Sequence, residues 1–132
     1  MKREKIIINE NGIITLPSNP TETVWMRDFE IAELFGIMLP TVKSNIQAIL
    51  KLGIVKADLQ LGRVVYGNHI LPDCFGLDMI TTLAFRINSL NTQLFREYVV
   101  SKLYAVITPT TPNIIIQVNT DKRLNKEKVI FN

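Results

Sequence analysis

The residues from Trp25 to Ile46 constrain the fold of this chain more than any other stretch. Their apolar positions recur at helical spacing on both sides of Gly36, and glycine accepts a positive φ without a steric penalty. Ala32 provides the small residue that two steeply crossing helices need where they touch, and Pro40 suits a first helical turn. The pattern predicts a helix–turn–helix, with an αα-corner inside an ordinary helical domain as the alternative.

Local signals set the expected bounds of these two helices. The first is predicted from about Arg27 to Phe35, with acidic residues in the first turn, where the helix dipole favours negative charge. The second is predicted from about Leu39 to Leu52, followed by Gly53 at the position that favours a left-handed residue. The second helix would be the one that enters a DNA major groove.

Two β-branched stretches near the N-terminus predict a hairpin. The strands are expected at Lys5–Ile8 and Ile13–Leu16, and Asn9–Gly12 between them carries an Asn-Gly turn signal. A further short strand over Thr23–Met26 is expected to lead into the first helix, with Trp25 in the core.

Two more strand candidates follow the second helix. Ile54–Lys56 and Arg63–Tyr66 are joined by Ala57–Gly62, which contains a turn-forming glycine. Two strands directly after a recognition helix are the layout of a winged helix, and the predicted wing tip includes Lys56 and Arg63. The alternative is a plain hairpin whose charged side chains are only solvated.

Helical spacing returns in the second half of the chain. After an expected loop at Asn68–Pro72, helices are predicted at Leu77–Asn88 and Thr92–Ile107. Ser89 or Asn91 can cap the later helix. The two helices are expected to form a hairpin.

Together these elements predict an α+β fold in three parts. The parts are a winged helix-turn-helix domain with a small N-terminal β-hairpin at 1–72, a helical hairpin at 73–108, and a linker with a short C-terminal strand at 109–132. The late strand, at Ile114–Val118, needs a partner. This need, and the paired half-sites that helix-turn-helix proteins bind, favour a homodimer.

The composition argues against several kinds of site. Cys74 is the only cysteine and His69 the only histidine, so no intrachain disulfide and no cysteine-based zinc site are expected. The sequence contains no glycine-rich phosphate loop and no apolar run long enough to span a membrane. We therefore predict a cytoplasmic protein without cofactor, metal or enzymatic activity, in which Cys74 is a small buried apolar residue.

The formal net charge of +3 and a pI of about 9.1 are compatible with a polyanionic partner, and we predict that residues 39–52 contact duplex DNA. Base contacts are expected from Thr41, Ser44 and Gln47, and phosphate contacts from Lys43, Lys51, Lys56 and Arg63. The alternative is a protein-interaction or structural domain that kept the fold without binding DNA. Met38-Leu39-Pro40 favours this alternative, because these residues offer no bidentate hydrogen bonds to bases and exposed apolar patches mark partner surfaces.

Two blocks of sequence share an order and spacing with a known family. The first block comprises Thr23–Met26 and Ala32–Ile37, and the second comprises Leu77–Ile80, Phe85–Ser89 and Phe95-Arg96. Over roughly residues 23–104 they resemble the N-terminal region of the RhuM-type virulence protein family of bacteria. The resemblance implies a helix-turn-helix and a DNA-binding, phage-antirepressor-like role in transcription regulation.

The chain departs from the family pattern at the start of each helix. The family usually has Thr or Ser where this chain has Arg27, a side chain that cannot cap a helix N-terminus. It usually has polar residues where this chain has Met38-Leu39-Pro40. These positions would reach base edges, so base readout would depend on Thr41, Ser44 and Gln47 together with Lys43, or DNA binding would have been lost.

Overall fold

The computed structural model describes residues 3–107, which have an α+β architecture. The helices are α1 (Pro20–Thr23), α2 (Asp28–Phe35), α3 (Leu39–Leu52), α4 (Leu77–Arg86) and α5 (Leu90–Ile107). The strands are β1 (Ile7–Ile8), β2 (Ile14–Thr15), β3 (Trp25–Met26), β4 (Arg63–Tyr66), β5 (His69–Pro72) and β6 (Phe75–Gly76). Within residues 3–107 they form three two-stranded antiparallel sheets. The predicted strand at Ile114–Val118 lies outside the described residues.

The predicted N-terminal hairpin is confirmed as β1 and β2. Its turn is held by Asn9, whose side-chain oxygen accepts the N–H groups of Asn11 and Ile13, both at 2.9 Å. Gly12 has a φ of +79° and donates its N–H to the Asn9 carbonyl at 2.9 Å. A side chain at Gly12 would be strained at this φ, which is why the Asn-Gly pair is informative here.

The strands after α3 differ from the predicted ones. Residues 54–56 form no strand, and the expected loop at 68–72 is mostly strand β5, which pairs with β4 across the turn Gly67-Asn68. Apolar residues face each other across this hairpin: Val64 opposes Leu71, and Val65 opposes Ile70. Such cross-strand pairs stabilise β4 and β5. Residues 54–56 form no such pairs.

A third sheet joins distant parts of the chain. β3, directly before α2, pairs with β6, directly before α4. Only Asp73 and Cys74 separate β5 from β6. The short helix α1 was not predicted, and it occupies Thr23, the expected first strand residue. Trp25 is half-buried, and its indole N–H donates to the Glu22 carbonyl at 3.0 Å.

The helices on either side of Gly36 are confirmed as α2 and α3. Gly36 has a φ of +64°, and the next residue, Ile37, donates its N–H to the Ala32 carbonyl at 3.1 Å. This is the left-handed C-terminal cap that glycine favours. Gly53 ends α3 in the same way, with a φ of +73°. The bounds of α3 are those the sequence predicts.

The core lies among α2, α3, α4 and the first turns of α5. Phe35 and Phe95 are buried and pack edge to face, with ring centroids 5.7 Å apart and planes at 68°. The same core contains buried side chains from α2, α3 and α4: Ile31, Val42, Ile46, Ile49, Ile80 and Leu83. Aromatic pairs of this geometry stabilise a core beyond the apolar area they bury.

The start of α5 is fastened to the end of α2. The Ser89 hydroxyl donates to the Phe35 carbonyl at 2.7 Å, and the Asn91 amide donates to the Leu34 carbonyl at 2.9 Å. These bonds satisfy carbonyls that have no partner within α2. Ser89 also accepts the Thr92 N–H at 3.1 Å, so the predicted cap of α5 is confirmed.

The chain divides into two compact units, the first ending at Glu97 and the second beginning at Tyr98. The boundary predicted after residue 72 lies inside the first unit. β6 pairs with β3 and α4 packs on α3, so residues on both sides of position 72 belong to the same compact unit.

The N-terminal segment is tied to α2 by a charged cluster around Glu30, which is 8% exposed. The Arg3 guanidinium donates to Glu30 Oε1 at 2.6 Å and to the Trp25 carbonyl at 2.9 Å, and Lys5 Nζ lies 3.7 Å from Glu30 Oε2. Burial alone raises the pKa of Glu30. The hydrogen bonds from Arg3 and from the Arg27 N–H, with the charges of Arg3 and Lys5, outweigh this effect and leave the pKa lowered.

Candidate nucleic-acid interface

Helix α3 has one buried and one solvent-facing side. Val42, Ile46 and Ile49 are buried in the core. On the opposite side, four of the predicted DNA-contacting residues are exposed: Thr41, Ser44, Gln47 and Lys51. The helical repeat produces this separation, because residues three and four apart share a side. The exposed side therefore presents hydroxyl, amide and ammonium groups to any ligand.

Some polar side chains of α3 already form hydrogen bonds within the protein. The Ser44 hydroxyl donates to the Thr41 carbonyl at 3.2 Å, so its proton is directed at its own helix. Asn45 donates to the same carbonyl at 2.8 Å and accepts from Arg86 Nε at 3.3 Å, which joins α3 to α4. Gln47 carries the longest uncharged polar side chain on the exposed side.

Lys43 does not point outward in the way that Ser44 does. It is half-buried, and its Nζ lies 4.0 Å from Asp28 Oδ2 at the start of α2. The helical repeat accounts for this position, because Lys43 is four residues from Leu39 and belongs to the edge of the apolar side. A phosphate would have to share Lys43 with Asp28.

The predicted wing tip is wrong. The tip of the β4–β5 hairpin is Gly67-Asn68, whereas Arg63 begins β4 at the open end opposite Pro72. Lys56 lies in the irregular segment between α3 and β4. Both cations are exposed, but neither is at the turn. A Gly-Asn pair between two β-branched runs is the sequence signal that could have located the tip.

The hairpin and the helices α2 and α3 line a common cleft of about 140 Å³. Lys43 and Gln47 contribute to it from α3, and Val64 contributes from β4. Arg27 spans the same cleft, with its Nε 3.4 Å from Asp73 Oδ2. Sequence reasoning missed Arg27 as a residue of this cleft, because its partner Asp73 is distant in the chain and no local pattern marks the pair.

The other candidate cations do not line this cleft, although Arg63 precedes Val64 and pairs with Pro72, which do. Lys51 and Arg63 do not line it, and Lys56 lines a larger groove of about 1220 Å³ between the segment after α3 and α4. The apolar floor of that groove includes Phe75, Met79 and Phe85. The structure thus brings Lys43 and Gln47 together and separates them from Lys56.

Cys74 is buried, as predicted, and burial raises the pKa of its thiol. A thiol with a raised pKa is protonated at neutral pH and is a poor nucleophile. In the described part of the chain, no three His, Cys, Asp or Glu side chains are grouped so that they could hold a metal ion. None of the helices described spans enough apolar length to cross a membrane.

Comparisons with profiles of protein families, with curated proteins and with solved structures found no match to this chain. The resemblance to the RhuM-type family stays a prediction.

Proposed function

We propose that this chain is a winged helix-turn-helix protein that binds duplex DNA through the exposed side of α3. The observation that carries the proposal is the division of α3 into a side whose Val42, Ile46 and Ile49 are buried and an exposed side with hydroxyl, amide and ammonium groups. A recognition helix needs this division, because one side must pack on its domain while the other enters the groove.

The order of the elements supports the winged form of the motif. β3 precedes the helix pair α2–α3, the β4–β5 hairpin follows it, and β6 returns to pair with β3. Val64 of β4 lines the same cleft as Gln47 of α3, so the hairpin lies beside the proposed recognition helix. A wing in this position would contact the DNA backbone next to the groove that α3 enters.

The cations differ in what they can offer to phosphates. Lys51, Lys56 and Arg63 are exposed. Lys43 and Arg27 are each close to a carboxylate, so part of their attraction for a phosphate is already used. We therefore assign the larger phosphate contributions to the first three residues and the base contacts to Thr41, Ser44 and Gln47.

Salt-dependent titration against mixed-sequence duplex DNA tests this function. Phosphate contacts release counterions, so the logarithm of the affinity should fall linearly with the logarithm of salt concentration. Three to four contacts give a slope of about −3 to −4. Absence of binding to every duplex even at low salt would contradict the proposal.

Removing one exposed cation should change this salt slope. Lys51→Ala and Arg63→Ala are each expected to weaken binding to all duplexes alike and to make the slope shallower by about one unit. Lys102→Ala removes the same charge from the second compact unit and should leave the slope unchanged. If all three variants behaved alike, net charge rather than contact would account for the effect.

We also expect a homodimer, because helix-turn-helix proteins bind paired half-sites. Exposed apolar side chains on α4 and α5, such as Phe85 and Leu90, are available for self-association. Sedimentation velocity should show a dimer at high micromolar concentration. A single monomer boundary under those conditions would contradict this prediction.

The second candidate function is a protein-interaction domain without DNA contact. The groove lined by Phe75, Met79 and Phe85 favours it, because large apolar grooves accommodate partner side chains. Failure to bind any duplex at low salt, in a protein shown to be folded, would favour this candidate over the first.

A further inference from the structure

The N-terminal end of α3 is both apolar and exposed. Met38, which precedes the helix, is 73% exposed, and Pro40 and Thr41 in the first turn are exposed as well. Together they present a thioether chain, a pyrrolidine ring and a methyl group. In a recognition helix, the N-terminal residues are the ones that contact base edges.

We propose that this end of α3 reads the 5-methyl groups of thymine, so that the preferred target is duplex DNA with A·T pairs in the contacted major groove. The inference rests on the proposed function and specifies its target. Thymine is the one standard base that presents an apolar group in the major groove, and apolar side chains recognise it by contact. Met38 suits this contact, because an unbranched thioether chain adapts its shape to a surface.

A second residue on α3 fits the same kind of base pair, at another position of the target. Gln47 is exposed on the solvent side of the helix, and a glutamine amide can bond adenine N6 and N7 together. Its position lies two helical turns beyond Pro40, on the same side. A·T pairs thus satisfy both the apolar end of the helix and its amide.

The surrounding charges favour DNA over an apolar protein surface as the occupant of this end. The first turn of α3 contains no acidic residue, so no carboxylate of that turn offsets the positive end of the helix dipole. In contrast, α2 has Asp28 and Glu30 in its first turn. Exposed Lys51 on the same helix adds further positive charge. A polyanion is therefore attracted to the helix that carries Met38.

The test compares two duplexes of the same A·T-rich sequence, one with thymine and one with deoxyuridine at every T position. The exchange removes only the methyl groups and keeps every hydrogen-bonding group. Burying a methyl group contributes about a fourfold gain in affinity, so the unaltered protein should bind the thymine duplex at least fourfold more tightly.

Two matched variants locate the effect. Met38→Ser should bring the ratio of the two affinities close to one, and serine is a favoured residue before a helix, so folding is retained. Ile13→Ser removes an exposed apolar side chain, 58% exposed, directly before β2 and away from both α3 and the helices expected to self-associate, and it should keep the full ratio. Any effect of the methyl groups on duplex shape is common to all three proteins and cancels in the comparison.

The outcomes separate the two proposals. Salt-dependent binding with equal affinity for the thymine and deoxyuridine duplexes overturns the thymine inference and leaves the proposed function standing. A ratio that survives Met38→Ser also overturns the inference. No binding to either duplex at low salt overturns both.

Discussion

Phe35→Ala is expected to lower the free energy of unfolding by about 3–5 kcal/mol, the largest effect of any substitution considered for this protein. Phe35 has no exposed surface, and its ring packs edge to face on Phe95. The substitution removes this contact and leaves a cavity where α2 meets the start of α5, a region that relaxes only in part. Equilibrium denaturation by urea measures the change.

Phe29→Ala is the matched control for this experiment, because Phe29 is on the same helix but is 46% exposed. Its loss should cost about 1 kcal/mol. Phe35→Leu keeps most of the volume, remains folded, and should cost about 1 kcal/mol. A loss below about 1 kcal/mol for Phe35→Ala would mean that the ring is not in the core.

Arg3→Met is expected to lower the free energy of unfolding by about 2 kcal/mol. The guanidinium donates to the Glu30 carboxylate at 2.6 Å, and Glu30 is buried, so the variant leaves a buried charge with fewer donors. Lys5→Met is the control, because Lys5 is more exposed and its Nζ is 3.7 Å from the same carboxylate. Its loss should cost less than about 1 kcal/mol. Equal losses for the two variants would contradict the assignment.

The same cluster should give the stability a defined pH dependence. The pKa of Glu30 is lowered in the folded protein, so its ionised form stabilises the fold at pH values above the ordinary carboxyl pKa of about 4.3. This contribution is lost as the pH falls through the lowered pKa. The stability difference between the unaltered protein and Glu30→Gln should therefore be constant near neutral pH and shrink in acid. A difference that stayed constant down to strongly acidic pH would contradict the lowered pKa.

The helix pair at the centre of the proposed site could be predicted from local signals. Gly36 and Gly53 adopt the left-handed conformation where the sequence predicts helix ends, and the start of α3 falls one residue before Pro40. Ser89 caps α5 as predicted. Capping and apolar periodicity depend on residues a few positions apart, so the sequence itself contains what decides them.

The strands after α3 were predicted less well, because their stability depends on a partner. Arg63–Tyr66 was recognised, but its partner at His69–Pro72 was expected to be a loop. β6 pairs with β3, which precedes α2 and is therefore far from β6 in the sequence. Short strands gain their stability from side chains opposite them, and that pairing is a property of the assembled sheet.

The electrostatics of the site were decided by tertiary structure alone. The sequence by itself determined that Thr41, Ser44, Gln47 and Lys51 share the exposed side of a helix, since the helical repeat requires it. Only the packing of α2 beside α3 brought Asp28 to Lys43, and only the β5–β6 junction brought Asp73 to Arg27. Charges interact through space, so which cations remain available to a phosphate depends on how distant segments pack.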